Sequence, residues 1–203
     1  ASCTTCCAIS RRRPDDDAIM ATGLAGHVVT MARNNIWANH RLLTACGSLT
    51  RAEFAEKRTS FFPSLRATLN HILWVDTYYI DALLRDPTVL DRYHDPQPDF
   101  ADAASLHTAQ IASDRRLLGF CERQTEQSLV DTIVLPRPDR RPPPTTVISV
   151  LEHLFQHQTH HRGQAHAMLA GTSVKPPQLD EFFLAGEQHL RRDELLELGL
   201  EPS

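Results

Sequence analysis

Four stretches of helix-like apolar spacing, separated by glycine or proline, constrain the fold of this sequence most strongly. Apolar side chains recur every three to four residues from about His27 to Cys46, and again from Leu65 to Leu84. Gly47 can end the first stretch, and the Asp86-Pro87 pair can end the second. These patterns predict two long amphipathic helices in the first half of the chain.

The second half of the chain contains the other two long stretches. A third helix is predicted from Ala101 to about Leu129. The fourth is predicted to begin near Ser149, which forms a capping-box pattern with Glu152, and to end at Gly171. A shorter helical segment, residues 179–198, follows it. The expected fold class is therefore all-α: a four-helix bundle with a short additional C-terminal helix.

Proline-rich segments separate these helices. Residues 89–100 contain Pro96 and Pro98 and are predicted to form a loop. Residues 131–146 contain five prolines, which exclude a helix and favour an extended or turn-rich connection that has room for a short hairpin.

Length and composition favour one domain with an irregular N-terminus. The chain has 203 residues, 41% of them hydrophobic, which is enough for one buried core. Residues 1–26 contain clusters of cysteine, arginine and aspartate without a sustained apolar period, so we expect a flexible tail there. We expect the helical, metal-binding domain to span residues 27–203.

Charge and cysteine content exclude several classes of protein. The net charge of -4 disfavours nucleic acid as a partner, because phosphate binding needs clustered lysine and arginine. The sequence has no apolar run of about 20 residues for a membrane span and no apolar stretch typical of a secretory signal. The five cysteines do not form a disulfide framework, and the Cys3-x-x-Cys6 pair lacks a second pair for a structural zinc site. We therefore expect a cytoplasmic protein with reduced thiols.

Histidine is the unusual residue, with 11 in the chain and five between positions 153 and 166. In the fourth helix, His153, His157 and His161 follow one another at intervals of four residues, so neighbouring members share a helix face. With a rise of about 1.5 Å per residue, the first and third lie about 12 Å apart along the axis, too far to bind one ion. At most one adjacent pair can therefore share a metal.

The apolar face of the fourth helix selects His157 and His161. Both align with the apolar residues Val150, Leu154 and Met168, whereas His153 belongs to a polar face. Two hydrogen-bonded histidines without a metal are the alternative interpretation of this pair.

His71 in the second helix is the candidate third ligand, because it shares a face with Ala67, Val75 and Tyr78. Taken alone, this residue is better explained as a hydrogen-bonded core histidine, and only the pair in the fourth helix makes it a candidate. Three histidines would leave one coordination position open, as in catalytic sites, whereas structural zinc sites have four protein ligands.

Three segments of the sequence resemble the DinB family. They are Ala32–Asn39 in the first helix, Leu69–Ile72 in the second and His153–Gln164 in the fourth, of which 159–164 is the most specific. The resemblance spans residues 28–185. It implies a four-helix bundle, often a homodimer, with a three-histidine site for nickel, zinc or a similar divalent ion at the positions of His71, His157 and His161.

The resemblance also implies a reaction class. The wider superfamily includes thiol-dependent S-transferases, in which the metal activates a low-molecular-weight thiol. The resemblance implies no polymerase activity. We therefore expect a small-molecule substrate and a thiol cosubstrate. The alternatives are a metal-dependent hydrolase, for which neither Asp76 nor Glu152 is well placed as a general base, and a non-catalytic metal-binding bundle. Asn35, Trp37, Tyr78 and His160 could line the site but are more simply explained by packing or surface exposure.

Overall fold

The structure, a computed structural model, describes residues 23–90, 99–139 and 141–200. Within these ranges four long helices form a bundle: α1 (Leu24–Cys46), α3 (Leu65–Leu83), α4 (Ala103–Cys121) and α6 (Val147–Leu169). The shorter elements are α2 (Arg51–Ala55), α5 (Glu126–Leu129), strands β1 (Thr132–Ile133) and β2 (Thr145–Thr146), a 3-10 turn (Ala185–Glu187) and α7 (Gln188–Glu197). The predicted all-α four-helix bundle with a short C-terminal helix is confirmed.

The four long helices occupy the corners of a square, and each packed pair forms one side. Helix α1 packs against α4 and α6, and α3 packs against the same two helices. The α1–α4 pair and the α3–α6 pair are therefore opposite sides of the bundle. Among the described residues, no helix combines the length and apolar character needed to cross a membrane.

Two of the long helices begin before their predicted starts. Helix α1 begins at Leu24, three residues before the predicted start, while residues 1–22 of the predicted tail lie outside the described residues. Helix α6 begins at Val147, and its N-cap is Thr146, whose side chain accepts a hydrogen bond from the Ser149 backbone N–H. The predicted capping box of Ser149 and Glu152 was therefore wrong.

The third predicted helix is shorter than expected. Helix α4 ends at Cys121, whereas the prediction extended to about Leu129. Thr125 and Ser128 cap each other's backbone and start the separate turn α5, which breaks the helix. The chain then enters β1, which pairs antiparallel with β2 across the proline-rich connection.

A layer of buried polar side chains divides the core into two apolar clusters. One cluster surrounds Trp37 and Leu154, and the other surrounds Phe54 and Leu169. The polar layer consists of Asn35, Asn39, Asp76, Gln110, Asp114, Gln158 and Arg162. Because it takes residues from all four long helices, its hydrogen bonds connect the whole bundle at one level.

Candidate metal centre

Three histidines converge on the side of the bundle formed by α3 and α6. His71 belongs to α3, whereas His157 and His161 lie one turn apart on α6. One ring nitrogen from each of the three lies within 4.8 Å of the others, and the Nε2 atoms of His71 and His157 are 3.1 Å apart. The structure thus brings together the three candidate ligands named from the sequence.

The donor set fits a divalent ion. Ligand nitrogens at about 2.0–2.1 Å from a tetrahedral zinc lie about 3.3–3.4 Å from one another, close to the separation of His71 and His157. His157 has another imidazole as the neighbour of its Nε2, and its buried Nδ1 has no hydrogen-bond partner among the described residues. The cluster could hold a metal ion.

The environment keeps these imidazoles neutral. Burial, and to a smaller extent the charge of His161, lowers the pKa of His71 to about 4 and that of His157 to about 3. Burial also lowers the pKa of His161, although its hydrogen bond to Gln164 opposes this change. At neutral pH each ring therefore has a nitrogen lone pair available for a metal.

Gln164 connects the site to its surroundings. Its Oε1 lies 2.8 Å from His161 Nδ1, and its Nε2 lies 3.0 Å from the Nε2 of exposed His160. An amide oxygen can only accept, so His161 carries its proton on Nδ1 and leaves Nε2 free to bind an ion. This contact was not predicted, although the spacing of three residues places Gln164 and His161 on neighbouring positions of the helix surface.

Two aromatic residues before α3 cover the histidines. The ring centroid of Phe62 lies 4.3 Å from that of His71 and 5.5 Å from that of His161. Phe61 packs against Phe62 and has 78% of its surface exposed. Neither residue was predicted to belong to the site, although two adjacent aromatics shortly before the second predicted helix are a visible signal in the sequence. They form an apolar wall beside the site.

A cavity of about 440 Å³ lies next to this wall. It runs between residues 58–60 and the C-terminal half of α6, where Gln164, Ala167 and Met168 line it. Because Gln164 also contacts His161, the cavity adjoins the histidine cluster. Such a space can accept part of a small molecule.

The third evenly spaced histidine of α6 and the two carboxylates considered as general bases lie away from the centre of the histidine cluster. His153 is exposed, and its ring centroid is 6.3 Å from that of His157. Asp76 is buried and accepts hydrogen bonds from Gln110 and Gln158, while Glu152 is exposed. As the sequence indicated, neither carboxylate is placed as a general base at the site.

The residues considered as possible pocket lining serve mainly to hold the helices together. Asn35 donates to Asp114 in the polar layer, and the Trp37 indole N–H donates to Glu194 of α7. The Tyr78 hydroxyl donates to the backbone oxygen of Pro136. Among these candidates, His160 is connected to the histidine cluster, through Gln164.

Comparison with known proteins identifies the family of the chain. The model of the DinB family matches residues 20–193, which include all four long helices and the three histidines. The chain belongs to the DinB family. It is also 26% identical over 148 residues to Protein DinB of Bacillus subtilis (strain 168), a match that covers 70% of this chain and 85% of that protein. The resemblance noted from three segments therefore extends over most of the chain.

Proposed function

We propose that this DinB-family chain is a metal-dependent S-transferase that joins a low-molecular-weight thiol to a small electrophile. His71, His157 and His161 would bind a divalent ion, with nickel and zinc as the first candidates. The convergence of three neutral imidazoles from two helices is the observation that supports this proposal most directly. The family's resemblance to thiol-dependent enzymes supports the reaction class.

The chemistry depends on the coordination position that three protein ligands leave open. A divalent ion held there would lower the pKa of a thiol or water toward neutrality. The chain itself would supply the geometry, because Gln164 fixes the proton of His161 on Nδ1 and orients its ring. Phe62 shields the rings from water, and the adjoining cavity offers space for the second substrate.

The thiol would have to come from outside the described part of the chain. Cys46 and Cys121 are its two cysteines, and both are buried. Burial raises the pKa of each thiol to about 12, so neither forms a thiolate at neutral pH. An external thiol cosubstrate is consistent with this arrangement.

Metal content of purified variants tests the ligands. We expect the wild-type chain to retain about one divalent ion at this site, and His157→Ala to lose it, because removal of one of three ligands leaves an incomplete site. His153→Ala is the matched control, since His153 occupies the same helix but is exposed. Equal metal content in the two variants would show that the ligand assignment is wrong.

The reaction class needs a separate test. The metal-loaded protein is incubated with L-cysteine and 1-chloro-2,4-dinitrobenzene, and free thiol is measured with time. We expect thiol consumption that stops after chelation and in His157→Ala. Ester hydrolysis without thiol would instead favour the hydrolase, and metal removal that lowers stability without any measurable turnover would favour a non-catalytic bundle.

A further inference from the structure

A second histidine pair lies on the side of the bundle opposite the metal centre. His40 of α1 and His107 of α4 face each other with ring centroids 5.1 Å apart. The Nε2 atom of His40 is 3.9 Å from a carboxylate oxygen of Glu197, the last residue of α7. The pair joins α1 to α4, whereas the first cluster joins α3 to α6, and both lie beside the polar layer.

The second pair contains an unsatisfied polar atom. His107 Nε2 is buried and has no hydrogen-bond partner among the described residues, and the His40 side chain is itself nearly buried. A buried polar group without a partner destabilises the folded state, so such a group calls for an explanation. A bound cation would provide one.

We propose that His40, His107 and Glu197 form a second binding site, which takes zinc or a chemically similar divalent ion. Two imidazoles and one carboxylate are a donor set that zinc uses in proteins. Ligand atoms around one tetrahedral zinc lie about 3.3–3.5 Å apart, and the His40 and Glu197 atoms are within about half an ångström of that separation.

The surroundings allow these groups to close on an ion. The Glu197 side chain is 70% exposed and therefore free to turn toward the two imidazoles. His40 borders a cavity of about 480 Å³ that is open to solvent and gives an ion access. Burial lowers the pKa of His107, so its ring is neutral at pH 7 and can act as a ligand.

The consequence of this site would be structural. Glu197 belongs to α7, so the ion would fasten the C-terminal helix to α1 and α4. Helix α7 is already linked to α1 through Glu194, which accepts hydrogen bonds from Trp37 and Arg41. An ion at Glu197 would add a second link about one turn further along the same helix.

Zinc titration of a chain without the first site tests the proposal. His71→Ala and His157→Ala remove two ligands of that site, and serine at Cys3, Cys6 and Cys7 prevents zinc binding by the N-terminal cysteines. With zinc ions alone as the probe, calorimetry is expected to show one remaining equivalent. Adding Glu197→Gln is expected to weaken that binding at least about tenfold, whereas His189→Gln, an exposed change on the same helix, leaves it unchanged.

A second measurement covers the case in which the multiple variant does not fold. The same three cysteine substitutions, in a chain with both histidine clusters intact, should give a protein that binds two zinc ions, and Glu197→Gln should reduce this to one. Absence of the second equivalent, or equal affinity in Glu197→Gln and His189→Gln, would overturn the proposal and favour a simple ion pair of His40 and Glu197. Neither measurement depends on the thiol reaction. The first does not depend on the first site either, and in the second the proposal is tested by the equivalent that Glu197→Gln removes, whatever the first site binds.

Discussion

Gln164 contacts both His161 and His160, so in the proposed metal centre it would orient the ring of His161. We expect Gln164→Leu to lower metal affinity by about 10–100-fold, the usual effect of losing a group that orients a ligand histidine. Leucine has a similar size but cannot accept the proton on His161 Nδ1. Competition with a fluorescent chelator measures the affinity.

Gln156→Leu is the matched control, because Gln156 is exposed on the same helix. It should bind the metal as the wild-type chain does. If both leucine variants retain wild-type affinity, Gln164 has no role in orienting His161.

At the residue scale, the sequence predicted which histidines meet but not what surrounds them. The interval of four residues and the apolar face of α6 are local properties, so they identified His157 and His161 directly. His71 was found because it also lies on an apolar face. The contacts of Phe62 depend on how the loop before α3 folds back over the histidines, and this path has no periodic signal in the sequence.

Thr146 determines where α6 begins, and α6 supplies two of the three clustered histidines. Its hydroxyl accepts a hydrogen bond from the Ser149 backbone N–H, which the helix leaves unpaired. We expect Thr146→Ala to reduce the free energy of unfolding by about 1 kcal/mol, as is usual for loss of an N-cap. Urea denaturation measures this change.

A threonine within a helix provides the comparison. The exposed Thr108 donates its hydroxyl hydrogen to the backbone oxygen of Ala104, a bond that contributes little in a helix. Thr108→Ala should therefore leave stability unchanged or slightly higher, because alanine favours helix. A Thr146→Ala protein as stable as Thr108→Ala would show that α6 does not need this cap.

At the element scale, the long helices were predictable because each has its own apolar period, but their ends depend on capping. Helix α2 was missed although Thr50 and Glu53 form a capping box that is visible in the sequence. Helix α4 was predicted too long because helical spacing continues past Cys121, where Thr125 and Ser128 start α5. Short elements contribute too few residues for periodicity to reveal them.

At the scale of the whole molecule, the polar layer unites the four helices and lies between the two histidine clusters. Asp114 accepts hydrogen bonds from Asn35 and Asn39 of α1, and Gln110 bridges Asp114 and Asp76. Arg162 is the one cationic side chain in the layer. The charges of Asp114 and Asp76 both favour its protonated form and so raise its pKa, in opposition to burial. One positive charge cannot balance two buried carboxylates, so one of them is expected to remain protonated.

Asp76 is the carboxyl group that we expect the layer to keep protonated. Burial, followed by the charge of Asp114, raises the pKa of Asp76 well above its usual 3.8. The folded chain therefore holds a proton that the unfolded chain releases above about pH 4. This contribution to stability is complete below that pH and is lost as the pH rises toward the folded-state pKa.

Asp76→Asn should consequently flatten the dependence of stability on pH. Asparagine has no proton to lose, and its side-chain oxygen can still accept from Gln110 and Gln158. Between pH 6 and 8 we expect wild-type stability to fall more steeply than that of the variant, by up to about 1.4 kcal/mol per pH unit for one proton. Urea denaturation of chelator-treated protein measures both slopes, with Asp193→Asn on the exposed face of α7 as the control. Parallel slopes in wild type and Asp76→Asn would mean that Asp76 is ionised in the folded chain, and that Arg162 balances both carboxylates after all.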